Sequence, residues 1–234
     1  MNMAAATCGG SGCGCLVRAE GAPEEARVTR GDRRERGKLV LASQSPRRQE
    51  LLRGAGFEFA VELPPMDDGH LAQGAVSVED WVTSLAYLKA RAVLRALRAR
   101  GVTGVLVVLG ADTVVAAEER VLGKPADEMD AARMLGTLAG KTHRVITGIA
   151  ALRSTDDGTV ERVLEHEGAE VSLGVLASAM IDAHVRAGGW RGKAGGYNLG
   201  EVRSAGWPVT VVGDETTVVG LPVERVKRVL STLL

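Results

Sequence analysis

The sequence predicts an α/β fold, and three observations carry that expectation. Leu39 to Leu52 reads as strand, turn and helix in one unit. Val105 to Leu109 is a continuous apolar run, as expected of a strand covered on both faces. Ser77 to Arg100 places Val78, Val82, Leu85, Leu88, Ala92 and Leu97 at helical spacing. With 234 residues, 45% of them hydrophobic, the chain suits one domain of two lobes or two small domains.

The charge balance narrows the partners. Lys+Arg and Asp+Glu number 29 each, which argues against a nucleic-acid polymer, since such binders carry a basic surplus. A small anion needs only a local basic cluster. No apolar run approaches the length that spans a bilayer. Residues 1–37 are first small and Gly-rich, then mostly charged, and the expectation is a disordered extension ahead of a domain at 38–234. Cys8, Cys13 and Cys15 all lie in that extension; three thiolates without a nearby fourth ligand make a weak metal clip. The extension lacks the long apolar core of a secretion signal. The rest of the chain has no cysteine, which fits a reducing, cytoplasmic setting.

Taken in order, Leu39 to Ala42 is a short buried strand and Ser45 a helix cap, with Pro46 at the first helical position. Arg47 and Arg48 then occupy the first turn. A helix N-terminus attracts anions, and guanidinium forks bind phosphate oxygens, so this is a candidate phosphate site. Arginines there oppose the helix dipole at about 0.3–1 kcal/mol each unless an anion relieves them. Two solvated surface arginines are the plainer reading. Phe57 to Val61 is expected as a second strand, followed by the loop Leu63 to His70. Its Asp67 and Asp68 suit a solvated turn, and also a hard divalent cation. In the long helix, Ser77 and Asp80 resemble a capping box, and Lys89 borders the buried face.

Asp112 follows the apolar run at what reads as a strand end. A carboxylate between apolar runs must be hydrogen-bonded, paired or metal-bound, so a functional role is favoured. A hairpin through Glu118 to Arg120 leads to Lys124, which is set between Gly123 and Pro125 and expected to be well fixed. Asp127 caps a helix to Leu138 with Met129, Ala132, Met134, Leu135 and Leu138 as its apolar set. Thr142 to Arg153 is β-rich, with His143 read as structural or substrate-adjacent. A turn at Asp156 to Gly158 leads to a long strand or strand pair over Val160 to Val175. A short helix, Ala177 to Arg186, precedes the glycine-rich loop Gly189 to Glu201, which carries Lys193. Val209 to Val212 is a strand, Thr216 to Val219 is expected to pair back on it, and Pro222 opens the closing helix.

Cations thus recur where elements meet (Arg47, Arg48, Lys89, Lys124, Lys193), and carboxylates at similar places (Asp68, Asp112). A substrate with several phosphates and a divalent cation accounts for both sets. The segments LASQSPRRQELL, LGADTVV, LGKPADE, THRVITG, GKAGGY and VVGLP, in this order, resemble the Maf family of nucleoside triphosphate pyrophosphatases from about Leu39 to the C-terminus. That resemblance implies a two-lobed mixed-sheet fold similar to the inosine triphosphate pyrophosphatases, with the active site in the central cleft. It implies hydrolysis of a nucleoside triphosphate to the monophosphate and pyrophosphate, assisted by Mg²⁺ or Mn²⁺. The family's proton acceptor falls on Asp112, which with Asp68 would also hold the metal. Its SxSPRR serine and second arginine fall on Ser43 and Arg48, its lysines on Lys89, Lys124 and Lys193. Arg47 and Thr113 agree with the subgroup similar to dTTP/UTP pyrophosphatases. Gly200 stands where a base-reading glutamine is usual, and Gly192 where an aspartate is common. The alternatives are a non-catalytic nucleotide-binding regulator of cell division and a 7-methyl-GTP pyrophosphatase. A homodimer is compatible with the resemblance, which fixes no oligomeric state.

Overall fold

The computed structural model describes residues 37–66, 71, 73–117 and 120–234. The N-terminal extension with its three cysteines, and Asp67 and Asp68, lie outside the described residues. The elements in order are β1 (Lys38–Ala42), α1 (Pro46–Gly54), β2 (Ala60–Glu62), α2 (Val78–Ala99), β3 (Leu106–Ala117), β4 (Arg120–Leu122) and α3 (Glu128–Leu138). There follow β5 (Thr142–Ser154), β6 (Val160–Leu173), α4 (Ser178–Arg186), a single 3₁₀ turn (Ala194–Gly196), α5 (Leu199–Ser204), β7 (Val209–Val212), α6 (Glu215–Val219) and α7 (Val223–Leu233). The strands form one mixed sheet in the order β2-β1-β3-β5-β6-β7, with β4 beside β3. β1 runs parallel to β2 and β3, and the other pairings are antiparallel.

The alternation of side chains along a strand divides the core between the two faces. Leu106 and Val108 pack with Ala86, Ala90, Val93 and Leu94 of α2. Val107 and Leu109 pack with Leu52 of α1 and with Val226, Val229 and Leu230 of α7. Further along β3, Val115 belongs to a second core, built with Leu135 and Leu138 of α3, Val185 of α4, Tyr197 and Trp207. The expected lobes are these two core regions, and β3 and β5 run through both.

Several local expectations are corrected. The second strand begins at Ala60, three residues later than expected; the apolar Phe57 and Phe59 before it pack into the core without pairing. Ser45 is the N-cap residue of α1 but its side chain makes no cap hydrogen bond; its own N–H donates to Ser43 Oγ at 3.2 Å. Half of the Ser77–Asp80 box forms: Asp80 N–H donates to Ser77 Oγ, whose hydroxyl donates back to Asp80 Oδ2. Met129 is not core but 78% exposed, being on the solvent side of the first turn of α3. Thr216 to Val219 does not pair with β7 and lies in helix α6. There Asp214 accepts from the Thr216 N–H at 2.8 Å and from the Thr216 hydroxyl, and this cap overrides the β-propensity of two threonines and two valines. Helix α5, which the glycine-rich segment does not announce, is capped by Asn198.

Candidate active site

Asp112 lies in the middle of β3, not at its end. Gly110, which reads as a terminator, serves α2: a Cβ there would sit 2.3 Å from Ala86 O. At Gly148 of β5, which pairs with Asp112, a Cβ would sit 2.6 Å from Val82 O. Two bare backbone positions thus let α2 lie against the sheet. One helical turn on from Ala86, Lys89 comes over Asp112, and its Nζ donates to Asp112 Oδ1 at 2.5 Å. The Lys89 and Asp112 side chains are 11% and 12% exposed, so the pair is largely desolvated, and both line one cleft.

The opening is a gap in the sheet edge. β1 pairs with β3 as far as Ala42 opposite Gly110, and β4 resumes at Leu122 opposite Val115. Between these points, β3 residues 111–114 have no strand on that side among the described residues. β1 leaves the sheet there, and its carboxyl end turns into α1. A crevice at the carboxyl end of a parallel strand is where open α/β sheets bind ligands.

Because the edge is open, both faces of β3 reach one cleft. Asp112 faces α2, and Thr113 faces the side of α1 and α6. Arg48 spans that side: its Nε donates to Gly220 O at 2.8 Å, Nη2 to Thr113 Oγ1 at 3.1 Å and Nη1 to Ser43 Oγ at 3.4 Å. Gly220 ends α6 in the left-handed region, φ 117°, which L-residues other than glycine seldom adopt. The hydroxyl protons downstream are assigned by elimination. Thr147 Oγ1 donates to Thr217 O at 2.8 Å, so it accepts from Thr113 Oγ1, 2.9 Å away. Thr113 therefore has its proton committed to the protein interior. α1 carries no acidic residue in its first turn, and the Gly220 carbonyl and two hydroxyls answer Arg48 instead.

The cleft encloses about 480 Å³, within the range of small-molecule sites. Ser43, Arg47, Arg48, Lys89, Asp112, Thr113, Lys124 and Lys193 all line it, so residues far apart in sequence meet there as expected. Lys124 is exposed at the rim and bonds to no described side chain; what is fixed there is backbone, through Gly195 N–H to Gly123 O. Lys193 is 10% exposed and donates to Gly189 O at 2.6 Å and to the Glu201 carboxylate. Gly200 is exposed on α5 and is not among the cleft-lining residues. His143 is structural: it is buried, its Nε2 bonds Tyr197 Oη at 2.7 Å, and burial pushes its pKa down to about 4. Burial also pushes the Tyr197 phenol up.

Sequence reasoning missed the Leu63, Pro64 and Met66 wall, Asn198, and the Thr147 and Gly220 partners of the arginine relay. Asn198 was within sight, directly after the GGY segment. The Gly220 carbonyl carries no sequence signal, lying 172 residues from Arg48.

Among the described residues no group of three His, Cys, Asp or Glu could hold a metal by itself. A Mg²⁺-like ion, however, is usually held by one or two carboxylates together with substrate phosphates. Asp112, beside a cleft rich in cations, fits that mode of binding.

Fold and cleft together define an α/β protein with a cation-lined cleft where a parallel strand leaves its neighbour. The chain belongs to the Maf-like protein family, whose model matches residues 38–233. It is 42% identical over 193 residues to the dTTP/UTP pyrophosphatase of Symbiobacterium thermophilum, covering 82% of this chain and 92% of the relative. It is 41% identical over 197 residues to that of Moorella thermoacetica, covering 83% and 94%. A solved structure, the nucleoside-triphosphatase / dITP/XTP pyrophosphatase of Mycobacterium abscessus, overlaps 84% of this chain and 97% of its own at 17% identity. Its TM-score of 0.36 is too low to bear on the fold.

Proposed function

We propose that this protein hydrolyses a nucleoside triphosphate, dTTP, UTP or a modified pyrimidine nucleotide, to the monophosphate and pyrophosphate. The observation that carries the reading is the buried Asp112–Lys89 pair on the open edge of β3, with Arg48 and Thr113 across the same strand. A binder of anions has no use for a carboxylate at the centre of a cationic cleft. A hydrolase needs one to take a proton. The relatives named as dTTP/UTP pyrophosphatases support the choice of substrate.

The reaction adds water to the α-phosphorus. A new P–O bond forms, the bridge to the β-phosphorus breaks, and pyrophosphate carries away the bonding pair. Lys89 occupies Asp112 Oδ1, so Oδ2 is the oxygen that accepts the water proton. Arg48, held by Gly220 O and Thr113, stabilises charge that grows on the phosphate oxygens together with Lys89, while Lys124 and Lys193 line the cleft further along β3. Arg47 lies at the mouth of the cleft in the first turn of α1. A divalent ion, Mg²⁺ or Mn²⁺, would be held by Asp112 and substrate oxygens, with Asp68 the further expected ligand; when bound it supplies charge neutralisation. Pyrophosphate release across a panel of triphosphates, with Mg²⁺ or Mn²⁺ and with chelator, tests the reading. Turnover of uracil or thymine triphosphates that chelator abolishes is the expected result. Tight binding of one nucleotide with hydrolysis of none contradicts it.

A further inference from the structure

The far end of the cleft offers groups that a base could meet. This inference rests on the proposed nucleotide chemistry and asks which atom distinguishes one pyrimidine from another. The cleft follows the open edge of β3. At one end are the turn after Ala42 and the first turn of α1, with Ser43 and Arg48. At the other is the segment through Tyr197 and Asn198, whose Tyr197 packs into the same core as Val115. From Ala111 to Val115 the strand alone rises about 13 Å. With phosphates at the first turn of α1, beside Ser43, Arg47, Arg48 and Lys89, a base reaches the other end, where Lys193 is already paired with Glu201 and where Val115, Val145, Leu199 and Val218 offer apolar contact. Its edge remote from the sugar, which bears the C4 substituent, then points at the end wall.

Most of the polar side chains at that end are already committed. Tyr197 Oη is bonded to His143, and Lys193 to Gly189 O and Glu201. Arg191 lies over Trp190 and reaches towards Glu128. Asn198 is different. Its Oδ1 accepts the Glu201 N–H at 3.1 Å as the cap of α5, and a backbone N–H can only be answered by the amide oxygen. The cap therefore fixes which way the amide faces, and the Nδ2 group is left without a partner among the described residues. This is half-buried in the cleft wall.

We infer that Asn198 Nδ2 donates a hydrogen bond to the C4 carbonyl oxygen of uracil or thymine, and so selects these bases against cytosine, whose C4 amino group is itself a donor. Asn198 would do at the end wall what Gly200, outside the lining, cannot. A site built around such a bond discriminates strongly, because the wrong partner leaves a donor facing a donor.

The test separates base reading from capping. Asp and Ser both cap helices well, and neither has an amide NH₂. Asn198→Asp and Asn198→Ser should therefore keep the thermal midpoint of the parent. Both should lower the UTP-to-CTP ratio of kcat/KM tenfold or more, with Asp shifting it further towards CTP. A ratio within twofold of the parent in both variants overturns the inference. Calorimetric titration with α,β-imido UTP and α,β-imido CTP gives a second readout that needs no turnover. Parent protein that prefers the uracil analogue, and variants that do not, sustain the inference even if no pyrophosphate is released, in which case the hydrolase reading alone falls. Binding of neither analogue by the parent overturns both.

Discussion

Asp112 and His143 are both buried polar residues on adjacent strands, yet their surroundings give them opposite uses. Asp112 meets a lysine at 2.5 Å and a cleft. His143 meets a tyrosine and apolar core, and its Nδ1 has no partner among the described residues. With its pKa near 4 in the folded state and about 6.5 when unfolded, the unfolded chain binds the extra proton between those values. Stability is therefore retained above about pH 6.5 and falls as pH drops towards 4, by about 3 kcal/mol across the interval. The thermal midpoint followed from pH 7 to pH 4 should show this slope, and His143→Phe should flatten it; an unchanged slope would remove His143 as the cause. At this scale the site was readable where chemistry is conspicuous. An aspartate between apolar runs and paired arginines after a turn stand out in sequence. The partners that aim Arg48 do not, since a carbonyl belongs to every residue and Gly220 is chosen by tertiary position alone.

At the scale of elements, the decisive contact is α2 against β3 and β5. A methyl group at Gly110 would meet Ala86 O at 2.3 Å, and the helix would have to move. Gly110→Ala should cost about 2–3 kcal/mol, in line with overpacking, and reduce turnover far more than stability explains, because Lys89 leaves Asp112. Gly136→Ala is the contrasting substitution. That glycine is exposed within α3 with nothing near its absent Cβ, so alanine should stabilise by about 1 kcal/mol with turnover unchanged. Melting curves and initial rates on the two variants check both statements. Strands and long helices were legible because apolar periodicity survives in sequence. The failures share a cause. Thr216 to Val219 has strand composition but a helix cap at Asp214, and Gly110 ends no strand because its role is to admit a helix. In each case a single contact outweighs a local propensity.

At the scale of the molecule, the cleft lies between the core under α1, α2 and α7 and the core under α3 and α4, and residues from both regions line it. A ligand there bridges the two. Nucleotide at a hundred times its dissociation constant should add about 2.7 kcal/mol to the stability of the whole chain, raising its midpoint by about 5–10 °C. A transition that splits on nucleotide addition would show that the two regions unfold separately. The sheet order and the gap beside β3 were not legible in sequence, since they depend on where β1 stops pairing and β4 begins, which no motif marks. The central claim is that Asp112 takes the proton from water in a cleft whose cations hold the triphosphate without it. Pyrophosphate release and nucleotide binding measured on Asp112→Asn test it most directly. Binding close to that of the parent with release reduced a thousandfold or more is the predicted result, and release from dTTP or UTP at the parent rate would contradict it.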